Sequence, residues 1–177
     1  MTTALFIGRF QPFHNGHLEI IKEIQKKYDS LIIVIGSTNK ENTIINPFSA
    51  DERIKMIEST LIVECIENYM IVKVPDINDN NRWASYVKDK IIAEIDHSDS
   101  NNLSKPFDVV YTGAELTKDL FEKEGYKVEW INSRIKGISA SEIRLRIIKD
   151  MDWQDMVPKQ VVDYLVEINC IERIKNL

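Results

Sequence analysis

Two aliphatic runs without alternation, Ala4-Leu5-Phe6-Ile7 and Leu31-Ile32-Ile33-Val34-Ile35, constrain this chain more than any other feature. A strand with one wet face alternates apolar and polar side chains. A run that is apolar at every position has to be covered on both sides, as an interior strand of a parallel sheet is. Met70-Ile71-Val72-Lys73-Val74, Phe107-Asp108-Val109-Val110-Tyr111 and a segment near Lys127 to Ile131 also read as short strands. Between the strands, apolar residues recur at helical spacing: Leu18, Ile21 and Ile24; Ile54, Ile57 and Leu61; Tyr86, Val87, Ile91 and Ile95. Further helices are expected near Glu115 to Glu124, from about Ser141 and from about Lys159. This alternation calls for right-handed βαβ crossovers, hence an α/β fold built on a doubly wound parallel sheet with helices on both faces. Ligands of such sheets sit beyond the carboxyl ends of the strands. The loops beginning near Gly8, Gly36, Pro75 and Gly113 are therefore the expected site.

With 177 residues, 44% of them hydrophobic, the chain can bury one substantial core. A single domain over 1–177 is expected, with the helices from about residue 151 packed on the same core. The polar segment His97 to Pro106 reads as a surface loop. Lys and Arg number 23 against 28 Asp and Glu, a net charge of −5, which argues against a broad nucleic-acid-binding face. Cys65 and Cys170 have neither metal-type spacing nor a disulfide framework, and no apolar stretch reaches membrane-spanning length. The first residues carry no basic leader, so a soluble cytoplasmic protein is expected.

The chemistry concentrates in two places. The loop after the first strand, Gly8-Arg9-Phe10-Gln11-Pro12-Phe13-His14-Asn15-Gly16-His17, sets Arg9, His14 and His17 near a helix start. A helix N-terminus offers unpaired amides and a positive dipole end, and glycine lets backbone come close to a ligand. Histidines three apart share a face, so both can donate to one polyphosphate. The same pair could instead ligate a metal or simply cap and pack the helix. A metal would need further ligands, and His97 is the one other histidine. The second place is Gly137-Ile138-Ser139-Ala140-Ser141-Glu142-Ile143-Arg144, where two hydroxyls and helix-start amides could hold a phosphate with Arg144 one turn on. Alone, it would read as an ordinary Ser/Glu helix cap. Neither GxxxxGK[ST] nor GxGxxG occurs, which argues against P-loop kinases and ordinary dinucleotide dehydrogenases.

Taken together, His-x-x-His after the first strand and Ile-Ser-x-Ser-x-x-Arg before a late helix resemble the nucleotidyltransferase superfamily that shares this motif with class I aminoacyl-tRNA synthetases. Within it, Gly-Arg-Phe-Gln-Pro-Phe-His-x-Gly-His is similar to the archaeal-type nicotinamide-nucleotide adenylyltransferases. The likeness continues through Gly36-Ser37, Asn46 to Ile54, Pro75-Asp76-Ile77, Trp83, Ile168-Asn169 and Glu172 to Ile174, nearly the whole chain. The resemblance implies a Rossmann-like nucleotidyltransferase fold and the joining of nicotinamide mononucleotide to ATP, giving NAD and pyrophosphate. Arg9, His14, His17 and Arg144 would do the catalytic work. Gly8, Phe10, Gly16, Gly113, Ser139 and Ser141 would hold ATP and its phosphates, while Ser37, Asp76, Ile77, Asn80, Trp83 and Arg53 would meet nicotinamide mononucleotide. Mg²⁺ would ride on the phosphates of ATP, without protein side chains as ligands. Relatives commonly form homo-oligomers, some of them hexamers, and neither nucleic acid nor membrane is an implied partner.

Ordinary structural readings stand beside these assignments. Trp83 reads also as a half-buried helix residue, Asn80 as a turn residue, Asp76 as a turn cap and Arg53 as a surface helix charge. This chain departs from its relatives at Ala140, where many have Gly, and at Ile45, where some have a basic residue; Lys40, Arg134 or Lys136 could substitute for that charge. With Leu177 last, no fused hydrolase is expected. Two other functions share much of this pattern: transfer to a different acceptor (phosphopantetheine, flavin mononucleotide or a sugar phosphate), and a non-catalytic ATP or NAD sensor.

Overall fold

Five parallel strands form the sheet: β1 (Thr3–Gly8), β2 (Ser30–Ile35), β3 (Tyr69–Lys73), β4 (Val109–Thr112) and β5 (Lys127–Trp130), in the order β3-β2-β1-β4-β5. The computed structural model describes residues 1–95, 105–131 and 137–177; residues 97–104 of the expected surface loop, with Arg134 and Lys136, lie outside them. The flanking helices are α1 (Asn15–Gln25), α2 (Ala50–Val63), α3 (Asn80–Glu94), α4 (Glu115–Lys123), α5 (Ala140–Ile148), α6 (Lys159–Glu167) and α7 (Cys170–Lys175). As the unalternated runs require, successive residues of β1 and β2 are buried whichever way they point: Ala4 and Leu5, Ile32 and Ile33. The order of the strands creates a switch. From β1 the chain winds outward through β2 to β3, then returns to place β4 on the other side of β1. The connections after β1 and β4 thus diverge, and Gly8 and Gly113 stand at those two ends.

Local signals set the helix ends. Ser49 and Glu52 form a reciprocal capping box at the start of α2, each side chain accepting from the other's backbone N–H. Gly125 ends α4 at φ 81, with its N–H on the Glu122 carbonyl and that of Tyr126 on the Phe121 carbonyl, the left-handed termination that costs glycine least.

The described residues gather into two compact units, each made of three chain segments. One holds Met1–Gly8, Ile24–Thr38 and the described part of Asn68–Asn132; the other holds Arg9–Glu23, Asn39–Glu67 and the described part of Ser133–Leu177. The first contains the whole sheet with α3 and α4. Its core joins Leu5, Ile7, Ile32 and Val34 of the sheet to Val87 and Ile91 of α3 and Phe121 of α4. The second contains the loop after β1, α2, and the helices from α5 onward.

Candidate functional site

In the second unit, His14 and His17 build a cap from two imidazoles. His14 immediately precedes α1, and its Nδ1 accepts the His17 N–H at 3.3 Å, while His17 Nδ1 accepts the His14 N–H at 3.2 Å. This is the topology of a capping box with rings in place of hydroxyl and carboxylate. With each Nδ1 occupied as an acceptor, a neutral ring carries its proton on Nε2. The capping reading of the pair is the one these hydrogen bonds show. The rings stack at 3.5 Å between centroids, and His17 also meets Phe13 at 5.5 Å and Phe10 edge-on at 4.8 Å. Within α1's first turn, Asn15 and Gly16 have N–H groups without an intrahelical acceptor, because no residue lies one turn earlier in the helix. Asn15 is tied down by its side chain, which donates to the Asp155 carbonyl at 2.9 Å.

Gly16 has a second role that the sequence reading did not give it. A Cβ there would stand 3.1 Å from both Cε1 and Nδ1 of His14, so the missing side chain makes room for the imidazole.

Burial pushes His14 from the ordinary 6.5 down to about 4, and burial, then the charge of neighbouring His14, holds His17 well below 6.5. Both rings are neutral at pH 7. An unfolded chain takes up these protons near 6.5, while folded His14 resists protonation down to about 4. Between those values the unfolded state binds more protons, so stability present above pH 6.5 is lost as pH falls. For His14 alone the loss at pH 5 is about 2 kcal/mol. Thermal unfolding should therefore shift several degrees downward between pH 7 and pH 5, and the shift should shrink in His14→Asn; an unchanged shift in that variant would count against the neutral buried pair.

Around the histidines the loop is fastened at its backbone. Phe10 is buried and left-handed at φ 52, a conformation that costs a bulky residue about 1–3 kcal/mol and persists only where neighbours enforce it. Arg53 Nη1 donates to the Arg9 carbonyl at 3.0 Å and its Nε to the Ser49 carbonyl at 3.0 Å. Arg144 Nη1 donates to the Gln11 carbonyl at 2.6 Å. The Gln11 side chain pairs both ways with Phe48, donating to its carbonyl and accepting its N–H, each at 2.9 Å. Gln11, which fastens this loop to Phe48, is a residue that sequence reasoning missed. The reading of Arg53 as a surface helix charge needs correcting: it is 0% exposed and its guanidinium grips backbone.

Ser139 caps α5 by accepting the Glu142 N–H at 3.1 Å, and its Oγ lies 3.1 Å from that of Ser141. Arg144 is held below the ordinary arginine value by burial first and by the nearby positive charge of Arg9 second. Two guanidiniums close enough to feel each other are suited to an anion with several oxygens. Among the described residues, no group of three His, Cys, Asp or Glu could hold a metal.

The remaining candidates belong to the first unit. Gly8 closes β1, Ser37 follows β2 with φ 53, Asp76 and Ile77 follow β3, and Gly113 follows β4, so all five stand at carboxyl ends of strands. Ser37 donates from Oγ to Asp76 Oδ1 at 3.1 Å. Asp79 caps α3 by accepting the Asn81 N–H, which places Asn80 and Trp83 in the first turn of that helix. Trp83 is half-buried and meets Phe121 edge-to-face at 6.1 Å.

A family model described as cytidylyltransferase-like matches residues 5–146, which sets the class. Similar proteins include the nicotinamide-nucleotide adenylyltransferase of Methanococcus aeolicus, 43% identical over 98% of this chain and 94% of that protein. That of Thermococcus sibiricus is 42% identical over 98% of this chain and 88% of that protein. The chain belongs to the cytidylyltransferase-like nucleotidyltransferases and, within them, to the nicotinamide-nucleotide adenylyltransferase family. Among solved structures, it resembles a bifunctional NMN adenylyltransferase/ADP ribose pyrophosphatase from Francisella tularensis, complexed with AMP and a manganese ion. The TM-score is 0.78 and the identity 24%, over 99% of this chain and 52% of that one. The chain thus spans about half the length of that protein, and the likeness supports the fold.

Proposed function

We infer that this chain joins nicotinamide mononucleotide to ATP, releasing pyrophosphate and forming NAD. The observation that carries the reading is the paired imidazole cap at the start of α1, in the same loop whose Gln11 carbonyl is held by Arg144, itself close enough to Arg9 to feel its charge. An oxygen of the mononucleotide phosphate attacks the α-phosphorus of ATP; the bond to the bridging oxygen breaks and pyrophosphate leaves with its electron pair. The attacking group is already an anion, so the protein supplies no nucleophile. Its task is alignment and neutralisation of charge on the transferring and leaving groups. In this reading His14, His17, Arg9 and Arg144 face the phosphates, with the Asn15 and Gly16 amides and the hydroxyls of Ser139 and Ser141 around them. The donor set suits phosphate oxygens rather than a cation, so Mg²⁺ is expected to arrive bound to ATP and water. It would supply further neutralisation of the polyphosphate.

On the acceptor side the family likeness supports Ile77 and Asn80 as contacts for the nicotinamide group, Trp83 as the platform under its ring, and Ser37 with Asp76 nearby in sequence pattern. The fold of 1–177 as one domain belongs to the same proposal, supported by units that each interleave three chain segments. Homo-oligomer formation and a cytoplasmic location belong to it as well. No helix among the described residues is long and apolar enough to cross a membrane.

The test is pyrophosphate release with ATP and a panel of acceptors: nicotinamide mononucleotide, nicotinic acid mononucleotide, phosphopantetheine, flavin mononucleotide and a sugar phosphate. Release with nicotinamide mononucleotide, accompanied by NAD, is expected. Release only with another acceptor would reassign the substrate, and tight NAD binding without release would make the chain a sensor.

Gly16→Ala separates ligand geometry from stability. Alanine favours a helix over glycine by up to about 1 kcal/mol, yet its Cβ must push the His14 ring aside. The expected outcome is NAD formation lowered by about tenfold or more, since small misplacements of positioning groups are costly. A circular-dichroism melt should show stability within about 1 kcal/mol of the wild type.

A further inference from the structure

The turn at Phe10 fixes where the Arg9 guanidinium leaves the loop, and one residue of α2 has hold of that turn from behind. Arg53 is the largest fully buried side chain in the described protein. Burying a guanidinium costs heavily unless its donors are used. Two of them go to carbonyls belonging to different segments: Nε to Ser49, the residue capping α2, and Nη1 to Arg9, 44 positions away in sequence. Both nitrogens belong to one planar group, so the two carbonyls are held at a fixed mutual distance and orientation. The Arg9 carbonyl is the acceptor immediately before left-handed Phe10. On the other side of Phe10, Arg144 holds the Gln11 carbonyl, and Gln11 is itself locked to the Phe48 backbone.

We propose that Arg53 is a positioning residue for adenylyl transfer: by gripping the Arg9 carbonyl it enforces the left-handed turn at Phe10 and thereby aims the Arg9 guanidinium at the phosphates of ATP. The proposal rests on the reading of this loop as the phosphate grip. It assigns Arg53 no contact with either substrate. Its effect passes through Arg9, and this separates it from a residue that merely holds the fold together. Lysine at this position keeps the charge but is a single point donor that cannot fork to both carbonyls.

A double-mutant cycle between Arg53→Lys and Arg9→Ala reads this directly, with ATP affinity measured by calorimetry and turnover by pyrophosphate release. With Arg9 present, Arg53→Lys is expected to weaken ATP binding about fivefold and lower kcat about tenfold or more. With Arg9 already replaced by Ala, the same change should alter either quantity by less than about twofold, because groups acting through one another are not additive. Arg53→Gln, neutral and able to donate to one carbonyl, serves as the second variant and should show the same dependence on Arg9. Full effects that persist in the Arg9→Ala background would overturn the proposal, as would wild-type behaviour of Arg53→Lys. Failure of both Arg53 variants to fold by circular dichroism would overturn it too, since the residue would then be structural. ATP binding needs no acceptor, so a mistaken acceptor leaves the calorimetric cycle readable. It would show itself separately, as wild-type protein that binds ATP but releases no pyrophosphate with nicotinamide mononucleotide.

Discussion

His17→Ala is expected to lower NAD formation from ATP and nicotinamide mononucleotide by about 100-fold or more while the fold persists, the loss typical of removing one preorganised donor to a developing charge. His17 does two things, and they can be pulled apart. Its Nδ1 accepts the His14 N–H as half of the reciprocal cap, a contribution worth about 1 kcal/mol to the helix. Its Nε2–H is the donor proposed to meet the phosphates. Asparagine carries an acceptor oxygen near the position of Nδ1 but nothing at the reach of Nε2. His17→Asn should therefore recover most of the stability lost in His17→Ala and little of the activity. Steady-state pyrophosphate release and thermal melts on the two variants settle the matter. Normal turnover in His17→Ala would sink the assignment of the imidazole pair, and recovery of turnover in His17→Asn would reduce His17 to a cap.

The parts of this protein that were legible in sequence are those whose physics is local. β1 and β2 could be read because every residue of Ala4 to Ile7 and Leu31 to Ile35 is apolar, and both sets are buried. The cap at Ser139, read as a Ser/Glu cap, follows from residues three apart. In contrast, α7 is six residues long, too short to display a period, and it begins after Asn169 in the left-handed conformation at φ 51. Gln11 and Arg53 act on backbone groups 37 and 44 positions away. In sequence each is only a polar residue near a helix or in a loop, and nothing local says whose carbonyl it will find. The role of Gly16 hid in the same way: the glycine was read as room for a ligand, whereas the nearest atoms to a Cβ belong to the His14 ring two residues before it. Family likeness could carry such residues into a motif, but not the reason for their presence.

Trp83→Ala is expected to raise the KM for nicotinamide mononucleotide by about tenfold while changing that for ATP by less than about twofold, because loss of a cation–π platform removes about 1–2 kcal/mol from one substrate alone. The pyridinium of the mononucleotide is a flat cation, and an indole face attracts it by stacking and by its quadrupole. The adenosine and triphosphate of ATP present no such group to Trp83 in the proposed reading. The substitution has a structural side as well. Trp83 packs on Phe121 edge-to-face at 6.1 Å and borders the core of the sheet unit, so truncation also costs stability. A general loosening of the first unit would lower the active fraction and so depress apparent kcat, leaving both KM values unchanged. Trp83→Phe keeps an aromatic face and much of the packing, and should hold the KM for the mononucleotide within a few-fold. An equal rise in both KM values for Trp83→Ala would remove Trp83 from the acceptor pocket and leave the nicotinamide assignment resting on Ile77 and Asn80. A selective rise repaired by phenylalanine would tie the acceptor to an aromatic platform in the first turn of α3.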